Sequence, residues 1–234
     1  MTSPASTAET FLGNARSAIA HINPSLSDRF EKLAEYIVHI QPSESAPSNP
    51  SFGTVSYFEK IATRFDRGRL PKFPRATKTH ADRVVPIILR EYFNVPELSL
   101  PEVIERHRHA MAAENIIGYL LERYLAETVE PYGWIWCAGS TVRSVDFMIP
   151  NEGNPSTWRL LQVKNRDNSE NSSSSAIRSG TLIEKWFRSF SAKDATNWDN
   201  FPAENAIKEQ LSENAFVDFV SGYIRRSVQA QNQT

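Results

Sequence analysis

The sequence of 234 residues contains a single cysteine, Cys137. One cysteine cannot form an internal disulfide, which is typical of a reducing compartment, and it excludes a zinc site built from four cysteines. No apolar run approaches the roughly 18 residues of a membrane-spanning helix. The first ten residues, MTSPASTAET, lack the basic and apolar regions of a signal peptide. We therefore expect a cytoplasmic protein without a membrane partner.

The chain also lacks a strong net charge, which is −1 at pH 7. Between residues 64 and 83, however, seven basic and two acidic residues give a local excess of five positive charges. Prolines within and beside this stretch argue for an extended linker rather than a continuous helix. Two interpretations stay open, a solvated basic connector or an arm that follows a DNA backbone. The arm would use Lys72, Arg75 and Lys78.

Apolar residues recur at helical spacing through most of the first 130 residues. Three short segments rich in β-favouring residues follow and predict strands: GWIWCAG, TVRSVDFMIP and STWRLLQVKN. The later segments GTLIEKWFRSF and ENAIKEQLSENAFVDFVSGYIRRSV are predicted to be helical. This order predicts an α/β (α+β) fold with a small mixed sheet flanked by helices. We assign residues 1–80 to a helical N-terminal region with the basic linker, and 81–230 to the core with its C-terminal helices.

Three polar residues on the second and third predicted strands carry the candidate chemistry. Gln162 and Lys164 are two residues apart and project to the same side of an extended strand. If the two strands pair as a hairpin, Asp146 joins them. The Asp146 carboxylate, the Gln162 side-chain carbonyl and the Val163 backbone carbonyl are hard oxygen ligands that suit Mg²⁺. Lys164 can orient or deprotonate a water, or stabilise developing negative charge, so the set predicts metal-dependent phosphodiester hydrolysis.

The same alternation of polar and apolar residues also fits a strand that simply exposes one face to water. Longer segments around these residues decide between the two. The order of a helix with glutamate, a strand, Asp146 and a strand with QVK resembles the PD-(D/E)XK nuclease core, with Gln162 at the usual acidic position. The segments AENIIGYLLERY, GWIWCAGSTVRSVDF, LQVKNRDNSENSSSSAIR and KWFRSFSAKDATNWDNF resemble type II restriction endonucleases of the SinI type. The resemblance extends from about residue 68 to residue 219.

This resemblance implies a magnesium-dependent homodimer that cuts both strands of duplex DNA. The implied recognition site is GG(A/T)CC, a near-palindrome cut to leave 5′ overhangs. A cognate cytosine DNA methyltransferase is the implied functional partner, because a host must protect its own sites. The alternative is a non-catalytic or repair-type DNA-binding protein with the same core, which the neutral Gln162 suggests.

The resemblance also implies an acidic residue on the upstream helix, which in this superfamily often reaches the metal. Glu114 and Glu122 both qualify, because eight residues correspond to about 80° around a helix. We favour Glu114, which lies among small residues, over Glu122, which has an arginine neighbour. Gln162 removes one negative charge from the metal site and predicts weaker metal binding than a glutamate would give.

The polar stretch that follows Lys164 is the predicted place for base contacts. A GG(A/T)CC half-site presents guanines, which arginine reads through two hydrogen bonds in the major groove, while asparagine can pair with adenine. Serine hydroxyls suit phosphates. The predicted DNA-binding residues are Arg166, Asn168, Ser169, Asn171, Ser172, Ser173 and Arg178. For any single one of them, an ordinary surface loop is the alternative.

Overall fold

The computed structural model describes residues 4–40, 50–75, 80, 82–151, 153–168 and 182–231. The chain divides into two compact units, and each unit draws on separate stretches of sequence. The first unit comprises Met1–Pro71 and Glu122–Phe219, and the second comprises Lys72–Leu121 and Val220–Thr234. The predicted division at residue 80 instead separates consecutive stretches, and it stays a prediction.

Three helices form the N-terminal part of the first unit, as their apolar spacing predicts. They are α1 (Pro4–Ile22), α2 (Ser27–His39) and α3 (Val55–Arg69). The Thr54 hydroxyl accepts a hydrogen bond from the Tyr57 N–H and caps the start of α3. The basic residues from Arg64 to Arg69 therefore belong to a helix, and the extended linker begins only at Leu70.

A four-stranded mixed sheet follows in the first unit. Its strands are β1 (Ile135–Trp136), β2 (Phe147–Ile149), β3 (Arg159–Arg166) and β4 (Ile183–Ser189), in the order β1-β2-β3-β4. The pairs β1/β2 and β2/β3 are antiparallel, whereas β3 and β4 are parallel. The predicted class, a small mixed sheet with flanking helices, is confirmed.

Both faces of this sheet are covered, which explains why four consecutive residues of β3, from Leu160 to Val163, are buried. On one face, Met148 and Leu160 join the apolar cluster of α1, α2 and α3. On the other face, the Trp186 ring lies 5.2 Å from the Trp198 ring and 4.9 Å from the Phe201 ring.

The prediction of a helix for GTLIEKWFRSF is wrong, because Ile183–Ser189 forms strand β4. Six of its residues pair with β3, from Leu160 opposite Ile183 to Arg166 opposite Ser189. Within β4, only Trp186 is buried. The segment is too short for its apolar spacing to separate a helix from a strand, and pairing with β3 decides the outcome.

The remaining helices are α4 (Val85–Glu91), α5 (Leu100–Val129), α6 (Asn205–Lys208) and α7 (Glu213–Gln231). Of these, α4 lies in the second unit and α6 in the first, while α5 and α7 contribute residues to both. Within the described parts of the chain, no helix combines the length and apolarity needed to cross a membrane.

Candidate active site

The β2–β3 hairpin places Asp146 beside Gln162. In the antiparallel register Phe147 lies opposite Leu161, so the next position brings Asp146 opposite Gln162 and onto the same face. The Asp146 N–H donates to the Leu161 carbonyl at 2.9 Å, and the Val163 N–H donates to Asp146 Oδ2 at 2.7 Å. The hairpin predicted from the sequence therefore forms, and it joins the carboxylate to the strand that carries QVK.

Lys164 follows Gln162 on the same face of β3 and is half-buried. Its ammonium lies close enough to the Asp146 carboxyl to lower the pKa of that acid. Burial acts in the opposite direction and has the larger effect, so the pKa of Asp146 rises to about 6 in spite of Lys164 and the Val163 N–H. At pH 7 to 8 the site therefore holds a desolvated carboxylate that is mostly ionised.

Gln162 presents a side-chain oxygen that has no hydrogen-bond partner among the described residues. Its side chain is buried, with 4% of the residue exposed, and Oε1 accepts no hydrogen bond. The other buried carboxamide of the described residues, Asn197, donates to the Phe187 carbonyl and accepts from Asn200. A buried acceptor without a donor costs about 1–3 kcal/mol, and a cation removes this cost. The oxygens of Gln162 and Asp146 therefore fit a divalent metal.

The described residues contain no group of three His, Cys, Asp or Glu side chains arranged to hold a metal. Asp146 is the acid that the hairpin brings to this place, and the second oxygen beside it belongs to the Gln162 side-chain amide. Val163 takes part through its N–H, which orients the Asp146 carboxylate. A ligand role for the Val163 carbonyl stays a prediction.

Of the two candidate glutamates, Glu122 belongs to the same unit as Asp146. The Trp136 indole N–H donates to Glu122 Oε2 at 3.0 Å. The backbone N–H of the adjacent Cys137 donates a hydrogen bond of 2.8 Å to the Asp146 carbonyl oxygen. Burial raises the pKa of the Cys137 thiol, and the charges of Asp146 and Glu122 raise it further. Both carboxylates therefore lie within electrostatic reach of one thiol.

Glu114, which the sequence favours, is an exposed residue of α5 in the second unit. The choice between Glu114 and Glu122 stays a prediction. The contact with Trp136 supports Glu122, and it joins two residues 14 positions apart. No local sequence pattern indicates such a contact.

Sequence reasoning missed an ion pair that fixes β1 next to this site. Arg69 and Glu130 form two hydrogen bonds, of 2.7 and 3.0 Å, and their side chains are only 14% and 10% exposed. Arg69 also donates to the Trp136 carbonyl, and the Trp136 N–H donates to Glu130. The sequence places Arg69 in the basic linker, but its charge is neutralised within the fold. The strand that holds the indole against Glu122 is anchored at both backbone groups of Trp136.

The structure also adds Lys185, which sequence reasoning did not consider. It lies opposite Gln162 in the parallel register of β3 and β4, and parallel partners share a face of the sheet. A second half-buried lysine therefore accompanies Lys164 on this face. The sequence did not indicate Lys185, because the apolar pattern of its segment predicts a helix rather than a strand beside β3.

Two of the predicted DNA-binding residues lie just beyond Lys164. Arg166 is exposed on the same face of β3 and lines a cleft of about 370 Å³ together with Arg188 and Lys193. Asn168 is exposed as well. The predictions for Ser169, Asn171, Ser172, Ser173, Arg178 and Lys78 fall outside the described residues.

In the second unit, Lys72 and Arg75 are exposed residues of the extended linker. The Lys72 ammonium lies 4.8 Å from the centre of the Tyr119 ring. The Tyr223 hydroxyl accepts a hydrogen bond from the Lys72 N–H and donates one to the Lys72 carbonyl. The linker is therefore held to its own unit at Lys72. Its predicted DNA contact stays a prediction.

Comparison with known proteins gives one family. The family model of the SinI restriction endonuclease matches residues 13–226. The type II restriction enzyme SinI of Salmonella infantis is 47% identical over 216 residues, which cover 91% of this chain and 93% of that protein. The type II restriction enzyme Eco47I of Escherichia coli is 47% identical over 214 residues, or 90% of this chain and 92% of that protein.

Proposed function

Because this chain belongs to the SinI restriction endonuclease family, we propose that it is a type II restriction endonuclease that hydrolyses both strands of duplex DNA. Two relatives that match nearly their whole length are named type II restriction enzymes. The meeting of Asp146, Gln162 and Lys164 on one face of the sheet is the observation that carries the proposal, because it supplies oxygens and an ammonium at one place.

The proposed metal is Mg²⁺, held by the Asp146 carboxylate, Gln162 Oε1 and the Val163 carbonyl. The unpartnered Gln162 oxygen supports this assignment, and oxygen ligands are those that Mg²⁺ prefers. When bound, the metal would offset negative charge on the phosphate and lower the pKa of a water molecule. With an amide in place of an acid, the site would bind the metal more weakly than one with glutamate.

The protein groups have distinct proposed roles. Asp146 would hold the cation as a carboxylate, and the hydrogen bond from the Val163 N–H to Oδ2 fixes the orientation of that carboxylate. Lys164 orients the attacking water or stabilises the charge that develops on the phosphate. Glu114 and Glu122 are the two candidates for the helical acid, and the indole of Trp136 supports Glu122 by fixing its carboxylate.

For recognition we propose the site GG(A/T)CC, cut to leave 5′ overhangs. Arg166 lies two residues beyond Lys164, a distance of about 7 Å along the strand, which suits a base or phosphate next to the cleaved bond. A near-palindrome requires two active sites that face opposite strands, so the proposed enzyme is a homodimer. A cytosine DNA methyltransferase with the same site is its proposed partner in the host.

Digestion of a sequenced plasmid with Mg²⁺, followed by mapping of the ends, tests this function. We expect discrete fragments whose ends fall at GG(A/T)CC with 5′ overhangs. Nicking or a smear would favour a repair-type nuclease. Binding of DNA without cleavage in Mg²⁺ would favour the non-catalytic alternative.

A further inference from the structure

A short segment of the second unit exposes an unusual amount of apolar surface. Helix α4, with only seven residues, has none that is buried. The large apolar side chains exposed in and around it, by 38% to 96%, are Val84, Val85, Ile87, Ile88, Tyr92, Phe93 and Leu98. We refer to residues 84–98 as the α4 patch.

The α4 patch is ordered by local contacts, yet they do not account for its stability. The Asp82 side chain accepts from the Val84 N–H at 2.8 Å at the start of α4, and the Tyr92 and Phe93 rings pack edge to face at 4.9 Å. Isolated helices shorter than about 12 residues are marginal in water, and tertiary packing of an apolar face usually supplies the missing stability. A seven-residue helix with an exposed apolar surface therefore needs a partner.

The size of the α4 patch matches what a protein partner requires. Seven large side chains, each one-third to almost fully exposed, offer roughly 700 Å² per copy, close to the ~800 Å² per partner of a standard interface. Exposed apolar surfaces beyond a few hundred Å² mark interaction sites on soluble proteins.

The charges of the α4 patch favour a second copy of the same chain over an anionic partner. Its single cation, Arg90, is bound by Glu91 and Glu97 at 2.8 and 3.2 Å. One guanidinium against two carboxylates leaves the patch with a net charge of −1 per copy and with no free cation. One excess charge on each copy produces only weak repulsion between two facing patches in water. Duplex DNA or an anionic membrane would instead need unmatched cations.

We propose that two copies of this chain pair through the α4 patch. The inference rests on the proposed function, in which a dimer brings two active sites to the two strands of one site. A two-fold axis uses the same patch on both copies, so each α4 would be covered by its symmetry mate. The pairing would give α4 the burial that the described residues of its own chain do not provide.

Sedimentation velocity of the full chain, without DNA or metal, tests the pairing. We expect the wild type to sediment at twice the chain mass of 26.5 kDa at micromolar concentration. Ile88→Glu, which puts a charge into the centre of the α4 patch, should raise the dimer dissociation constant at least tenfold. Val217→Glu is the matched control, since Val217 is 51% exposed on α7 and Ile88 is 49% exposed on α4. A monomeric wild type, or an Ile88→Glu dimer as tight as the control, would overturn the proposal.

Hydrogen exchange of the wild-type α4 amides keeps the test valid if Ile88→Glu misfolds. Protection of α4 should rise with protein concentration, because the patch is covered only in the dimer. Protection that is equal at all concentrations would overturn the proposal, since α4 would then be covered within its own chain.

A cleavage assay separates this inference from the proposed function. A wild type that cuts plasmid while Ile88→Glu dimerises normally refutes the α4 patch and leaves the function intact. A wild type that dimerises through the patch but never cuts DNA with Mg²⁺ refutes the proposed function and leaves the pairing intact.

Discussion

Replacing Asp146 with asparagine should stabilise the protein while it removes cleavage. Asparagine has nearly the shape of aspartate and retains an oxygen that can accept the Val163 N–H, which lies 2.7 Å from Asp146 Oδ2. The negative charge is lost, however, and with it the cost of ionising a desolvated acid. The asparagine variant therefore separates the energetic cost of the site from its chemistry.

The pKa of Asp146 sets the size of the effect. The rise from 3.8 to about 6 corresponds to on the order of 3 kcal/mol at pH 8, because each pKa unit is worth about 1.4 kcal/mol. The folded protein binds the proton more tightly than the unfolded chain, so the unfolding free energy of the wild type falls as pH rises from about 4 to about 6. Asp146→Asn lacks this loss. Its advantage should be close to zero at pH 4 and complete above pH 7.

Thermal unfolding of both proteins between pH 4 and pH 8, in EDTA to remove stabilising metal, measures this difference. We expect the melting temperature of Asp146→Asn at pH 8 to exceed that of the wild type by roughly 5–10 °C. Asp218→Asn, at an exposed position of α7, is the control and should leave the difference near zero. A variant less stable than the wild type at pH 8, or equally stabilised at pH 4, would refute the reasoning.

The other predictions concern the ligands around Asp146. Glu114 and Glu122 are the two candidates for the helical acid, and changing the one that acts there to alanine should lower the cleavage rate at least about 100-fold. Single-turnover rates of Glu114→Ala and Glu122→Ala decide which glutamate it is. A large loss in Glu114→Ala alone would contradict the role that the Trp136 contact supports for Glu122. Gln162→Glu adds a negative charge beside Asp146 and should lower the dissociation constant for Mn²⁺ roughly tenfold in calorimetry without DNA. Unchanged Mn²⁺ affinity in Gln162→Glu would mean that Gln162 Oε1 does not face the metal.

The hairpin and its polar residues were predictable because they depend on local rules. Alternation in LLQVKN fixes which side chains share a face, and the turn-prone NEGNPS joins two neighbouring strands. The antiparallel pairing of β2 with β3 then follows, and it brings Asp146 to Gln162. Spacing alone left open whether these residues form a nuclease site or a strand face exposed to water, and the prediction of a nuclease site came from the family resemblance.

Non-local contacts were not predictable in the same way. Strand β4 pairs in parallel with β3. Parallel strands are joined by a long connection, so no short-range sequence pattern indicates that these two segments pair. The Arg69–Glu130 ion pair joins residues 61 positions apart, so in the sequence the arginine looks like one more charge of a basic linker. The orphaned oxygen of Gln162 is equally invisible in a sequence, since it depends on which donors the fold places around it.

The most direct test of the central claim compares Lys164→Ala with Lys60→Ala, an exposed lysine of α3. Both variants receive Mg²⁺ and a plasmid with one GG(A/T)CC site, and their affinity for the same duplex is measured by fluorescence anisotropy. We predict that Lys60→Ala cuts like the wild type, whereas Lys164→Ala loses at least about 1000-fold in rate and still binds the duplex. Cleavage by Lys164→Ala at the wild-type rate would contradict the assignment of the Asp146–Gln162–Lys164 face as the active site.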